Sequence, residues 1–187
     1  MNVFILNTGR CGSSTFIKAC HHITNYTSGH ETMSSQVLDA RLGYSENHIE
    51  ADNRLSWFLG RLDQKFGSEA FYVHLSRDKS ATVRSFEARA GRGIIKAYQK
   101  GILTRTGQSA DVSEICADYV ETVTANIECF LKDKPQKMVI ELESIESGFV
   151  DFWSKIGAEG DLDKAREELY VKHNATSKKG IFGKRKG

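Results

Sequence analysis

Val3 to Leu6 is an unbroken apolar run of strand length, and directly behind it stands "NTGRCGSSTF", with two glycines, an arginine and three consecutive hydroxyl side chains. A short run that is apolar at every position fits a strand covered on both faces, the situation inside a parallel sheet. Past the loop, Phe16, Ile17, Cys20 and Ile23 recur at spacings compatible with one face of a helix. The order strand, glycine loop, helix is the first unit of a layered α/β chain.

The rest of the sequence continues that alternation. "AFYVHLS", from Ala70 to Ser76, reads as a second buried strand and "KMVIELES" as a third, with a possible short strand around Asn25 to Ser28. "NRLSWFLGRLDQKFG" places Leu55, Phe58, Leu59, Leu62 and Phe66 on one face and predicts a single amphipathic helix ended by Gly67. Asp78 is a suitable N-cap for a helix running toward Arg89. Ile115, Tyr119, Val123, Ile127 and Phe130 predict a long helix between Asp111 and Lys134, before Pro135. "ESGFVDFWSKIG" and "DLDKAREEL" follow as two short helices, and "RGIIKAYQKGILTRTGQSAD" reads as a short helix plus an exposed loop. The expected architecture is a three-layer α/β fold, a mostly parallel β-sheet flanked by helices in the manner of P-loop nucleotide hydrolases.

At 187 residues, with 40% hydrophobic and 27% charged side chains, the chain suits a single domain over residues 1–187 that buries a sizeable core. No apolar run approaches the roughly 18 residues that span a bilayer, and the N-terminus lacks the basic flank of a signal peptide, so a cytoplasmic location is expected. Cys11, Cys20, Cys116 and Cys129 show neither CxxC pairing nor histidine partners at zinc spacing; reduced thiols and no metal are expected. The net charge of +2 is uneven, because Lys172, Lys178, Lys179, Lys184, Arg185 and Lys186 follow the last acid, Glu168. A basic segment over residues 170–187 on an acidic body suits either a polyanionic ligand or a solvated tail. Nucleic acid is not the expected ligand, since the basic residues lack interleaved aromatics beyond Phe182.

Backbone N–H groups of a glycine loop that opens a helix converge on one point, and the helix terminus adds partial positive charge, so an anion is favoured there. Gly9 and Gly12 supply the turn, Arg10 a full charge, and Ser13, Ser14 and Thr15 hydroxyl donors. A Walker A loop spaces its glycines more widely and has lysine where Ser13 stands. That argues against an ATPase or GTPase, though not against phosphate binding, and a purely structural glycine turn is the alternative. Arg77, at the end of the second strand, and Ser85, about two helical turns further on, can together hold a phosphate. Taken alone, Arg77 reads rather as a surface partner of Asp78 or Glu87.

Together these segments resemble the sulfotransferases that use 3′-phosphoadenosine 5′-phosphosulfate, in particular the small bacterial type. "TGRCGSST" resembles the family's 5′-phosphosulfate loop, "LSRDKSATVRSFEAR" its 3′-phosphate segment, and "VIELESI" with "FWSKIG" the strand and helix that follow. Proline, common in the family at the "RDK" turn, is absent. The resemblance implies that Arg10, Cys11, Gly12, Ser13, Ser14 and Thr15 grip the 5′-phosphosulfate, and that Arg77 and Ser85 take the 3′-phosphate. It further implies that the basic tail folds over the nucleotide, with Lys178 or Lys179 reaching a phosphate.

"TSGHETM" is similar to the stretch that carries a glutamate general base in bacterial relatives, which points to Glu31, with His30 as the alternate. Arg10 is the natural stabiliser of the leaving group. His74, mid-strand, reads as a core residue. The acceptor is expected to be a hydroxyl or amine of a small molecule, glycan or lipid; Trp57, Phe58 and Tyr98 are candidates to line its site, although helical spacing favours Phe58 as core. Two other classes stay open, a nucleotide or nucleoside kinase with an atypical loop and a non-catalytic binder of anionic nucleotides.

Overall fold

The computed structural model describes residues 1–104 and 111–171. Five strands form one all-parallel sheet: β1 (Val3–Leu6), β2 (Thr27–His30), β3 (His48–Ala51), β4 (Phe71–Ser76) and β5 (Lys137–Glu141), in the spatial order β2-β3-β1-β4-β5. The helices are α1 (Ser13–Cys20), α2 (Leu59–Phe66), α3 (Lys79–Glu87), α4 (Gly93–Ala97), α5 (Val112–Leu131), α6 (Ile145–Lys155) and α7 (Leu162–Leu169).

β1 explains the three layers. Its side chains alternate across the sheet: Val3 and Ile5 enter a core with Phe16 of α1 and Phe149 and Phe152 of α6, while Phe4 and Leu6 enter a second core with Leu62 of α2, Phe86 of α3 and Tyr119 and Ile127 of α5. All four β1 residues are fully buried, as an apolar run with no polar alternation requires.

The chain leaves β1 toward β3 and β2, then returns across it to β4. Such a reversal opens a crevice beyond the carboxyl ends of the strands, where ligands of open α/β sheets bind. The register places Leu6 beside His74, and Ala51 beside both Ile5 and His30. The segments that follow β1, β2, β3 and β4 therefore emerge on one edge, and Arg10, Ser13, Ser14, Glu31 and Arg77 leave from it.

Two expectations change. The helix over residues 54–66 is broken: Asn53–Trp57 is a 3-10 turn started by Asp52, whose side chain accepts from the Arg54 N–H, and α2 begins only after Phe58. β3 has no counterpart in the expected strands, because its "HIEA" carries two ionisable side chains that are nevertheless buried. The expected cap forms, with Asp78 accepting from the Ala81 N–H at 2.7 Å, and α5 starts on a capping box that was not anticipated, made by Asp111 and Glu114. Cys11, Cys20, Cys116 and Cys129 are all free thiols. No described helix is long and apolar enough to cross a membrane.

Candidate active site

The loop after β1 is shaped by its own side chains before any ligand is considered. Asn7 accepts from the Gly9 N–H at 2.8 Å and donates to the Ile5 carbonyl at 2.9 Å, a side-chain-closed turn. Tyr119 of α5 donates to the Thr8 carbonyl at 2.9 Å and fixes the loop from below. Gly12, at φ 85°, precedes α1, and a Cβ there would stand 2.6 Å from Cδ1 of Leu142. Only glycine satisfies both that backbone conformation and the close approach of the β5–α6 connection.

Arg10 sits at φ 63°, in the left-handed region that costs a non-glycine residue roughly 1–2 kcal/mol. Its backbone and side chain are both held by the second motif. Arg77 Nη1 donates to the Arg10 carbonyl at 3.2 Å, and Arg10 Nε donates to Ser85 Oγ at 3.0 Å. Two segments separated by 67 and 75 residues thus meet at one arginine. Burial, then the nearby Arg89 and Arg77 guanidiniums, push the Arg10 pKa below its ordinary value. Among the described residues no carboxylate lies within ion-pair distance of Arg10 or Arg77. Like charges gathered in this way cost stability and favour an anion between them.

Ser13 and Ser14 share hydrogen bonds with His30 Nε2, at 3.0 and 3.3 Å. The Cys11 side chain turns into the α1–α6 core and its thiol pKa is pushed up to about 12 by burial, so only its backbone can serve a ligand in the loop. Thr15 is half-buried in the first turn of α1.

Across the crevice, Glu31 follows β2 with φ 57°, and its carboxylate lies 2.8 Å from Arg54 Nη1. Both ends of this pair are held from β3. Glu50, fully buried, accepts from the Thr32 N–H at 2.8 Å, from Thr32 Oγ1 at 2.6 Å and lies 3.0 Å from His48 Nε2. The Glu31 N–H donates to the Ala51 carbonyl at 3.0 Å. Gly29 makes this closure possible, since a Cβ there would stand 2.2 Å from Thr32 Cγ2. Asp52, also fully buried, holds the Arg54 backbone and receives the buried Arg41 at 2.6 Å; burial pushes its pKa up, opposed by the Arg54 N–H and by Arg41.

A cleft of about 300 Å³ is lined by Arg10, Ser13, Ser14, His30, Glu31, Asn53 and Arg54 and, from α3 and the chain that follows it, by Phe86, Arg89 and Arg92 to Ile95. The structure therefore brings together Arg10, Ser13, Ser14, His30 and Glu31 around one space, with Arg77 and Ser85 behind Arg10. The comparison with solved structures matches this arrangement of elements. A crystal structure of a sulfotransferase from Alicyclobacillus acidocaldarius superposes with a TM-score of 0.51, covering 90% of this chain and 89% of that one at 15% identity. The chain has a sulfotransferase-like fold. No protein-family model and no curated protein sequence matches it.

Several sequence expectations fall elsewhere. Trp57, Phe58 and Tyr98 do not border the cleft. Tyr98 is buried, packs on Tyr119 and donates to Asp118; Trp57 is partly exposed beside Tyr98; Phe58 is half-buried between the Arg41 and Arg61 guanidiniums. His74, by contrast, is the core residue its mid-strand position implies, 5% exposed, with its pKa lowered by burial. Lys178 and Lys179 lie outside the described residues. Asn53, Arg54, Phe86, Arg89 and Arg92 went unread as site residues. A polar pair directly after an unrecognised strand is the signal that would have found Asn53 and Arg54.

Proposed function

We propose that the protein is a sulfotransferase that moves a sulfuryl group from 3′-phosphoadenosine 5′-phosphosulfate to an oxygen or nitrogen acceptor. One observation carries the reading: Arg77 and Ser85, from the second motif, both bond Arg10 of the first, so a cationic centre forms where a donor with two phosphate positions would be gripped. The fold likeness supports it at the level of architecture.

In this reading the loop amides of Arg10 to Thr15 and the hydroxyls of Ser13 and Ser14 hold the 5′-phosphosulfate, and Arg77 with Ser85 takes the 3′-phosphate. His30, on both serine hydroxyls, sets their orientation. Glu31 takes the acceptor proton as the acceptor oxygen or nitrogen bonds to sulfur. The bond from sulfur to the phosphate oxygen breaks, and Arg10 stabilises the charge that collects there. The basic segment 172–187 supplies Lys178 or Lys179 as a further phosphate contact. Adenosine 3′,5′-bisphosphate is the other product.

Calorimetry with adenosine 3′,5′-bisphosphate against ADP tests the donor assignment. The bisphosphate should bind at least about tenfold more tightly, a difference of about 1.4 kcal/mol. Arg77→Ala should abolish that preference; equal binding of the two ligands by the unaltered protein would sink the proposal.

A further inference from the structure

The wall of the cleft that comes from α3 and the chain after it has charge that neither the loop nor the base requires. Four guanidiniums, Arg10, Arg54, Arg89 and Arg92, border the cleft against a single carboxylate, Glu31. Arg10 belongs to the donor in the reading above, and Arg54 is committed to Glu31 at 2.8 Å. Arg92 remains, carried beyond the end of α3 and lining the same cleft as His30 and Glu31, together with Arg89, whose guanidinium also acts on Arg10.

Local structure gives no reason for Arg92. It stands at the N-cap of α4, where Ser, Thr, Asp or Asn is favoured, and its side chain forms no capping bond. It is exposed, and no carboxylate among the described residues lies within ion-pair distance of it. Beside it, Phe86, Ile94 and Ile95 give the same wall an apolar stretch. The volume of about 300 Å³ is at the small end of ligand sites, too little for a long chain to be enclosed.

We propose that the acceptor is a small hydroxyl compound bearing an anionic group, which Arg92 with Arg89 receives while Phe86, Ile94 and Ile95 pack its apolar body and Glu31 faces its hydroxyl. This rests on the sulfuryl-transfer reading and narrows its acceptor. The anionic group is held through charge-assisted hydrogen bonds, which a guanidinium gives in forked geometry. The anionic end goes to the arginines and the hydroxyl end to Glu31, so only one end of the acceptor reaches the sulfur.

The test uses the full chain, 3′-phosphoadenosine 5′-phosphosulfate and phenols matched in shape but not in charge: 4-hydroxybenzoate, 4-hydroxyphenylacetate and 3-(4-hydroxyphenyl)propionate, each against its amide. In at least one pair the carboxylate should have the higher kcat/KM by about ten- to a hundredfold. Arg92→Gln should bring that ratio below about threefold, Arg92→Lys should retain part of it, and Arg84→Gln, outside the cleft, should keep it whole. Amides used as well as carboxylates, a preference that survives Arg92→Gln, or no transfer to any carboxylate would overturn the anionic acceptor. In each of those cases preferential binding of adenosine 3′,5′-bisphosphate leaves the donor reading standing. Absence of that binding brings down both.

Discussion

The loop after β1 and the wall that faces it hold their polar groups by different means. The loop is a backbone device: Asn7 closes its turn, Gly12 gives way to Leu142, and Arg77 fixes the Arg10 carbonyl. The wall is a side-chain device, in which buried Glu50 of β3 and buried Asp52 just past its end hold the turns that carry Glu31 and Arg54. A backbone device tolerates little change of shape, and a side-chain device little change of chemistry. Substitutions can separate the two.

The largest expected effect is on the wall. Glu31→Gln keeps the shape and removes the base, so kcat for sulfuryl transfer should fall about 10²- to 10⁴-fold while bisphosphate affinity by calorimetry stays close to that of the unaltered protein. His30→Asn should cost less; a larger loss from His30 than from Glu31 would exchange their roles. Arg10→Ala comes next, with a loss of about 10²- to 10³-fold in rate and, unlike Glu31→Gln, a parallel loss of bisphosphate affinity.

Smaller effects concern stability. Gly12→Ala drives a Cβ into Leu142 from a left-handed backbone and should lower the unfolding free energy in urea by about 1–3 kcal/mol. Adding Leu142→Ala relieves the overlap and leaves the backbone strain, so recovery should be incomplete. Full recovery would mean that shape alone, and no strain, requires the glycine. Glu50→Gln, isosteric within its bonds to Thr32 and His48, should cost about 1 kcal/mol and lower kcat more than it changes KM.

The two sides were unequally legible in the sequence. β1, the loop, β4 and α5 were readable because apolar runs and periodicity report burial directly. β3 was not, since His48 and Glu50 break the apolar pattern and are satisfied by each other and by Thr27 and Thr32, which the fold brings alongside. Arg54 was hidden for a different reason. Leu55, Leu59 and Leu62 keep helical spacing across a break at Phe58, so the sequence read one helix where a 3-10 turn aims Asn53 and Arg54 at the cleft. Arg92 was lost at the head of a stretch that reads as a short helix plus an exposed loop.

The smallest effect tests which side is acid-sensitive. Burial lowers the His74 pKa from 6.5, so the folded state resists its proton; that contribution is present above about pH 6.5 and is lost as pH falls through the folded pKa. Asp52 has the opposite sign. Its raised pKa favours the fold at pH values below 3.8, a contribution lost as pH rises through the folded value. Melting temperatures taken between about pH 7 and about pH 5 should therefore fall less in His74→Leu than in the unaltered chain. An equal fall would move the acid sensitivity off β4.

The gathering of Arg10, Arg77 and Arg89 also fixes how the protein responds to the ions around it. Dissolved salt screens charges that repel within the fold and charges that attract a ligand alike, over a Debye length of about 10 Å at 0.1 M. Rising ionic strength should therefore make the isolated chain harder to unfold while loosening its hold on an anionic nucleotide. The buffer in which the protein is most robust is then the one in which it is least occupied.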